Sequence, residues 1–213
     1  PVTDRASWED VKRRYRAESP ARYPEWWADV VRCLDGRDYP LALTPNGCFG
    51  LYSFMRRLMG TELACTIFYD DPVLAEEILE YLTDYFMRVI GRVLQDVEVD
   101  FFNYFEDFAY NAGPLVGPNI VKRYFVPRYR RINDLLRSRG VKHIWLDSDG
   151  NPEVLIPLLL ETGITCLWPL ERASNMDPLA IRARYGHDLA LVGGIDKRAL
   201  ARDRQAIDEE LNR

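Results

Sequence analysis

Three glycines, Gly140, Gly163 and Gly186, recur at a spacing of 23 residues, and each stands between a helical stretch and an apolar run. A glycine in that place suits the left-handed residue that stops a helix before the chain turns into a strand. The apolar runs are 141–146, 164–170 and 189–192, and the acids Asp147, Glu171 and Asp196 follow them. A strand, a turn, a helix of about ten residues, a glycine and a strand again is the βα unit. Repeated without hairpin signals, it dictates a parallel sheet with right-handed crossovers. An open doubly wound sheet and a closed (β/α)8 barrel both satisfy that pattern, and both place ligand chemistry at the carboxyl ends of the strands, where these acids lie.

Two more strands are expected upstream, at 40–44 and 99–105, which brings the count to about five. A complete barrel has eight strands and needs about 250 residues, against 213 here. The expected fold class is therefore α/β, a (β/α)8 TIM barrel that is incomplete over this chain. It forms a single domain over 1–213, with a peripheral helical segment at 1–39 and both ends cut from a longer protein. Helices are expected at 4–17, from the Trp26-Trp27 pair, at 49–59 after the turn Pro45-Asn46-Gly47, and at 73–97 behind the Asp71-Pro72 cap. A further helix is expected at 120–139, with Pro127 kinking it or marking a boundary. Residues 111–118 read as a Gly/Pro-rich loop.

The net charge of -5, from 28 basic and 33 acidic residues, leaves no basic footprint for nucleic acid or an anionic membrane surface. The apolar runs fall far short of the roughly 20 residues of a membrane helix. Cys33, Cys48, Cys65 and Cys166 lie in apolar or aromatic settings without metal or redox spacing, so reduced, buried thiols and a cytoplasmic location are expected.

The informative string is His143-Ile-Trp-Leu-Asp-Ser-Asp-Gly-Asn151. Side chains alternate along a strand, so Asp147 and Asp149 project to the same side. Close carboxylates bind a divalent cation or force one of the pair to keep a proton; alternatively, the two aspartates form an Asx-turn that caps the helix near Pro152. The Asp-x-Asp-Gly string resembles the first motif of haloacid dehalogenase-type phosphatases, but the downstream Ser/Thr and paired aspartates of that family do not follow. An EF-hand fails too, since position 158 is Leu. Glu106-Asp107 forms a second acidic pair, of which only one member enters the pocket. Glu106 is expected there, with Asp107 at an Arg or a helix terminus. Glu171 is a further pocket candidate. Asp196 reads equally as a ligand group or as the cap of the helix from Arg198, and the basic stretch 122–139 reads as a solvated face. His143 and His187 lie at the wrong end of their strands for catalysis, and no triad, closed zinc site or nucleotide loop is present.

Taken in order, Asp71-Pro72 with its long helix, Phe105-Glu106-Asp107, Gly113-Pro114-Leu115-Val116-Gly117-Pro118, Phe125-Val126-Pro127-Arg128-Tyr129, the Asp-Gly-Asn strand end and Gly193-Gly194-Ile195-Asp196 resemble the uroporphyrinogen decarboxylase superfamily. The resemblance implies a (β/α)8 barrel and one of two chemistries: cofactor-free decarboxylation of uroporphyrinogen, or zinc-dependent methyl transfer between corrinoid proteins and thiols or related acceptors. Phe54 stands where the decarboxylase has a substrate-contacting Tyr. Asp147-Ser148-Asp149-Gly150 aligns with the His-x-Cys-Gly metal motif of the methyltransferases, so carboxylates replace both soft ligands. The resemblance therefore implies a divergent member. Asp147, Asp149 and Glu106 are its expected catalytic residues, and Glu171, Phe54 and Tyr110 its substrate contacts. Asp147, Asp149 and Glu171 would be the ligands of a possible divalent metal ion. Methyl transfer or demethylation of a small molecule with a corrinoid protein partner is the leading expectation, with a possible homodimer. Uroporphyrinogen decarboxylation and a non-catalytic small-molecule binding barrel are the alternatives.

Overall fold

A computed structural model describes residues 1–44 and 49–212. The turn expected at Pro45-Asn46-Gly47, and Cys48, lie outside the described residues. Helix α1 (Arg5–Arg14) opens on Asp4, whose carboxylate accepts from the Ser7 N–H at 2.8 Å in a capping box. Helix α2 (Trp27–Leu34) follows, then strand β1 (Ala42–Leu43) and the helices α3 (Leu51–Met59), α4 (Thr61–Asp70) and α5 (Pro72–Asp96). Asp71 caps α5, accepting from Leu74 N–H at 2.9 Å with Pro72 at the first helical position. After β2 (Phe101–Phe105) come a small antiparallel pair, β3 (Ala109–Tyr110) and β4 (Gly113–Pro114), and the short helix α6 (Pro118–Ile120). A π-helical turn at Val121–Phe125 leads from α6 into α7 (Val126–Ser138). The last repeats are β5 (His143–Asp147), α8 (Ile156–Thr162), β6 (Cys166–Leu170), α9 (Pro178–Tyr185) and β7 (Ala190–Gly193), then α10 (Lys197–Leu200) and α11 (Arg204–Leu211).

Strands β1, β2, β5, β6 and β7 form one parallel sheet in that order. All five expected strands are present, and the order is that of consecutive barrel strands with helices between them. Gly140, Gly163 and Gly186 all take positive φ (88°, 85° and 60°) at their helix ends, as their register requires. Pairing puts Phe102, Tyr104, Ile144, Leu146 and Leu167 on the face covered by helices, where all five are buried. Phe101, Asn103, Phe105, Trp145 and Asp147 point to the opposite, barrel-interior face.

Several expectations are corrected or sharpened. The N-terminal segment is not wholly peripheral: Val2 and Trp8 are fully buried, and Trp8 packs edge-on against Tyr81 of α5 at 5.4 Å between ring centroids. Helix α4 and the β3–β4 pair occupy stretches with no expected helix or strand. Pro127 marks a boundary, as one of the two expectations had it: the π turn at Val121–Phe125 ends just before it, and α7 starts at Val126 with the proline in its first turn, where its missing N–H is tolerated. The basic stretch is not simply solvated. Arg128 is buried, at 4% exposure, and pairs with Glu76 and Glu80 of α5, while Arg131 pairs with Glu80 and Asp84. These pairs lock α7 onto α5, which is why a helix so rich in arginine can pack there. Cys65 and Cys166 are sheltered and free, as expected, whereas Cys33 is free but exposed. No helix among the described residues is long and apolar enough to cross a membrane.

Candidate active site

The register places Phe105, Asp147 and Trp168 side by side in one layer at the carboxyl ends of β2, β5 and β6. Beneath them, Trp168 Nε1 donates to Asn103 Oδ1 at 2.7 Å, and Trp145 stacks on Phe101 at 4.7 Å. Backbone bonds hold the rim: Glu106 N–H donates to Asp147 O at 2.7 Å, and Ser148 N–H to Trp168 O at 2.8 Å. Asp147 therefore projects from a rigid strand between two aromatic walls.

Asp149 follows just beyond the end of β5, near enough for its charge to bear on Asp147. Burial pushes the Asp147 carboxyl up to about 6, with Asp149 and then Asp107 adding to the effect. Asp149 is raised by burial, then by Glu171 and Asp107. Among the described residues neither carboxylate accepts a hydrogen bond that would stabilise its charge. The Asx-turn reading is not met by either: Asn151 Oδ1 accepts the Glu153 N–H at 3.1 Å and performs the turn. Two aspartates thus stand at the mouth without a structural task.

The choice between Glu106 and Asp107 is corrected. Glu106 is fully buried on the helix side, where its oxygens accept from the Ser53 N–H at 2.9 Å and from the Tyr129 hydroxyl. Burial pushes its carboxyl up to about 8 against those two hydrogen bonds. Asp107 is the member that faces the acids, and Arg56 pairs with it at 3.7 Å. The parity of β2 carries this assignment, because the interior residues are odd-numbered. The polar Asn103 within an aromatic run was the available signal.

Glu171 lies beside the pair, but its carboxylate is committed to Lys197 and to the Gly150 N–H at 2.8 Å, and Lys197 chiefly holds it below the usual range. Among the described residues no three His, Cys, Asp or Glu side chains are grouped so as to hold a metal ion. The expected metal trio Asp147, Asp149 and Glu171 is not assembled, since Glu171 is already neutralised by a lysine, and its donors do not fit a divalent cation in this arrangement. Tyr110 is 55% exposed on the β3–β4 pair, and its carbonyl accepts the Asn151 N–H at 3.0 Å, so the pair rests on the loop that carries Asp149. Phe54 is not brought to the acids. It lines a separate cavity of about 750 Å³ with Tyr15, Phe49 and Tyr85, and none of the mouth carboxylates lines that cavity. Asp196 caps α10, accepting from Arg198 N–H at 2.9 Å. His143 and His187 are exposed at the opposite ends of their strands.

A parallel barrel sheet with carboxylates gathered at its carboxyl rim defines a (β/α)8-type protein with its chemistry at the strand ends. Residues 4–213 match the uroporphyrinogen decarboxylase (URO-D) family, and the chain belongs to that family. Among solved structures it is similar to a methyltransferase from Methanosarcina mazei, with a TM-score of 0.60 and 15% sequence identity over 80% of this chain and 49% of that one. The chain spans about half the length of that methyltransferase, and at this identity the likeness shows the shared fold. No match is found among curated proteins.

Proposed function

We propose that this chain carries the site of an enzyme that demethylates, or transfers a methyl group from, a small molecule, with a corrinoid protein as methyl acceptor and Asp147 as the general acid. The observation that supports this reading is the Asp147 carboxyl: half-buried at a strand end, without a hydrogen-bond partner among the described residues, and held near 6 by burial and by Asp149 and Asp107. Such a group keeps a proton at a pH where an ordinary aspartate has lost it, and a pKa near the working pH is what proton transfer requires. As the bond between methyl carbon and heteroatom breaks, its electron pair stays on the heteroatom and the Asp147 proton joins it. A corrinoid on the partner protein would supply the two-electron nucleophile that accepts the methyl group. Burial, then Asp149 and Asp107, favours the protonated form of Asp147, and Phe105 and Trp168 flank it in the same layer.

Electrostatics favour this reading over decarboxylation. Arg56 and Lys197 are already paired with Asp107 and Glu171, so this acid-lined mouth offers a polyanionic porphyrinogen little attraction. Family membership is what supports the decarboxylase alternative. The test is to supply the protein with methylated alcohols, thiols and amines and free cob(I)alamin, and to follow methylcobalamin by absorbance. Turnover that falls about 10²-fold or more in Asp147→Asn supports the proposal. Decarboxylation of uroporphyrinogen at a rate that Asp147→Asn leaves unchanged overturns it.

A further inference from the structure

On the barrel-interior face of the sheet one amide side chain stands among aromatic rings. Strand β2 presents Phe101, Asn103 and Phe105 to the interior, and β5 presents Trp145 and Asp147. Asn103 is buried, at 7% exposure. Phe101, Phe105, Trp145 and Trp168 are half-buried, so each ring keeps part of its surface open. A buried amide oxygen needs a donor, and Asn103 Oδ1 has one in Trp168 Nε1 at 2.7 Å. That bond crosses a strand. Asn103 lies opposite Trp145, and Trp168 opposite Asp147, so donor and acceptor stand on either side of β5 and in successive interior layers. Two strand spacings come to about 10 Å, which the two side chains span only if the indole lies across β5 instead of standing up from the sheet.

The indole is therefore a plate laid over β5, between the layer of Asp147 and the layer of Trp145. Below it Trp145 stacks on Phe101, with 4.7 Å between centroids and 28° between ring planes. Asp147 stands on the rim side of the plate, and Phe105 bounds the same layer on β2. An indole face takes a flat ring by offset stacking, and a puckered ring of the same size less well. We propose that Trp168, positioned by Asn103, is the platform for an uncharged aromatic ring, and that the substrates demethylated at this mouth are aryl methyl ethers. A ring resting on the indole brings an ether oxygen at its edge to Asp147. Charge points the same way: Arg56 and Lys197 are paired with Asp107 and Glu171, so the mouth suits an uncharged ring better than an aromatic carboxylate. As the bond between methyl carbon and ether oxygen breaks, both electrons remain on oxygen and a proton from Asp147 completes the phenol. The methyl group goes to the two-electron nucleophile of the corrinoid. The substrate class rests on the reading of the mouth as a demethylation site, whereas the ring platform rests on the geometry of Asn103 and Trp168 alone.

The experiment measures the binding of phenol and of cyclohexanol, alike in size and each with one hydroxyl group, by ligand-observed NMR at neutral pH. It uses the full chain and its Trp168→Leu, Trp168→Phe and Asn103→Leu variants. Phenol should bind about fivefold tighter than cyclohexanol in the unaltered protein, the gain of one stacking contact. Trp168→Leu should abolish that preference, Trp168→Phe should keep most of it, and Asn103→Leu, which leaves the indole without its acceptor, should reduce it. Equal binding of the two alcohols by the unaltered protein overturns the proposal without any variant having to fold. A preference that survives in a folded Trp168→Leu protein overturns it too. With free cob(I)alamin, anisole should give methylcobalamin, and Trp168→Leu should raise its KM more than it lowers kcat. Methylcobalamin formed from aliphatic methyl compounds but not from anisole overturns the substrate class and leaves the demethylation reading standing. No methylcobalamin from any methylated compound refutes that reading, and the substrate class with it, while the phenol preference still decides the platform.

Discussion

Replacing Asp147 with Asn should make the protein more stable at neutral pH while removing the acid proposed for the site. In the folded state the Asp147 carboxyl titrates near 6, against an ordinary value of 3.8 in the unfolded chain. Between those two values the native protein holds a proton that the unfolded chain has released. By linkage, stability therefore falls as pH rises from about 4 to about 6, and above 6 the whole penalty of a buried, like-charged carboxylate is felt. A shift of about two units corresponds to about 3 kcal/mol. Asp147 is only half-buried, and solvent screening reduces this to about 1–2 kcal/mol. Asn carries no charge and escapes the penalty. Urea unfolding followed by tryptophan fluorescence should show Asp147→Asn level with the parent at pH 4 and about 1–2 kcal/mol more stable at pH 7.5. Glu106, also raised, contributes its own pH dependence to both proteins and cancels in the difference. A stability difference that does not change with pH, or a variant less stable at pH 7.5, would refute the claim that folding strains this carboxylate.

Other perturbations test the frame around it. Gly50→Ala should cost about 3 kcal/mol, toward the upper end for an overpacked site, because the new Cβ meets the Phe105 carbonyl and Glu106, neither of which can swing away; a lowered urea midpoint checks this. Tyr104→Phe removes the donor to Asn133 Oδ1, a 2.6 Å bond between two buried side chains. The stranded oxygen should cost about 1–3 kcal/mol, seen as a lower melting temperature without a change in the Asp147 titration.

How much of this was legible beforehand depended on the range of the interactions involved. The parallel strands and their helix stops were readable because the glycine register and apolar runs are local signals. Helix α4 buries Ala64, Ile67 and Phe68, a stripe at helical spacing but too short to stand out. The β3–β4 pair is two residues on each side, and its pairing rests on contacts with the loop at Asn151 rather than on any alternation. Strand β2 is aromatic on both faces, as a strand buried on both sides tends to be. Its parity was therefore obscured, and Glu106 was expected where Asp107 stands. The burial of Arg128 was invisible for another reason: the acids that neutralise it lie on α5, some fifty residues earlier. Simple alternation singled out Asp147 and Asp149 as candidates, whereas the commitment of Glu171 to Lys197 could be seen only once β6 and the start of α10 were side by side.

The central claim is that the fold holds Asp147 as an acid poised near neutrality, and a site-resolved titration of its carboxyl tests it most directly. A ¹³C-detected midpoint near 6, falling toward 3.8 when Asp149 and Asp107 are both replaced by Asn, is the result this account predicts. A midpoint at 3.8 in the unaltered protein would contradict it.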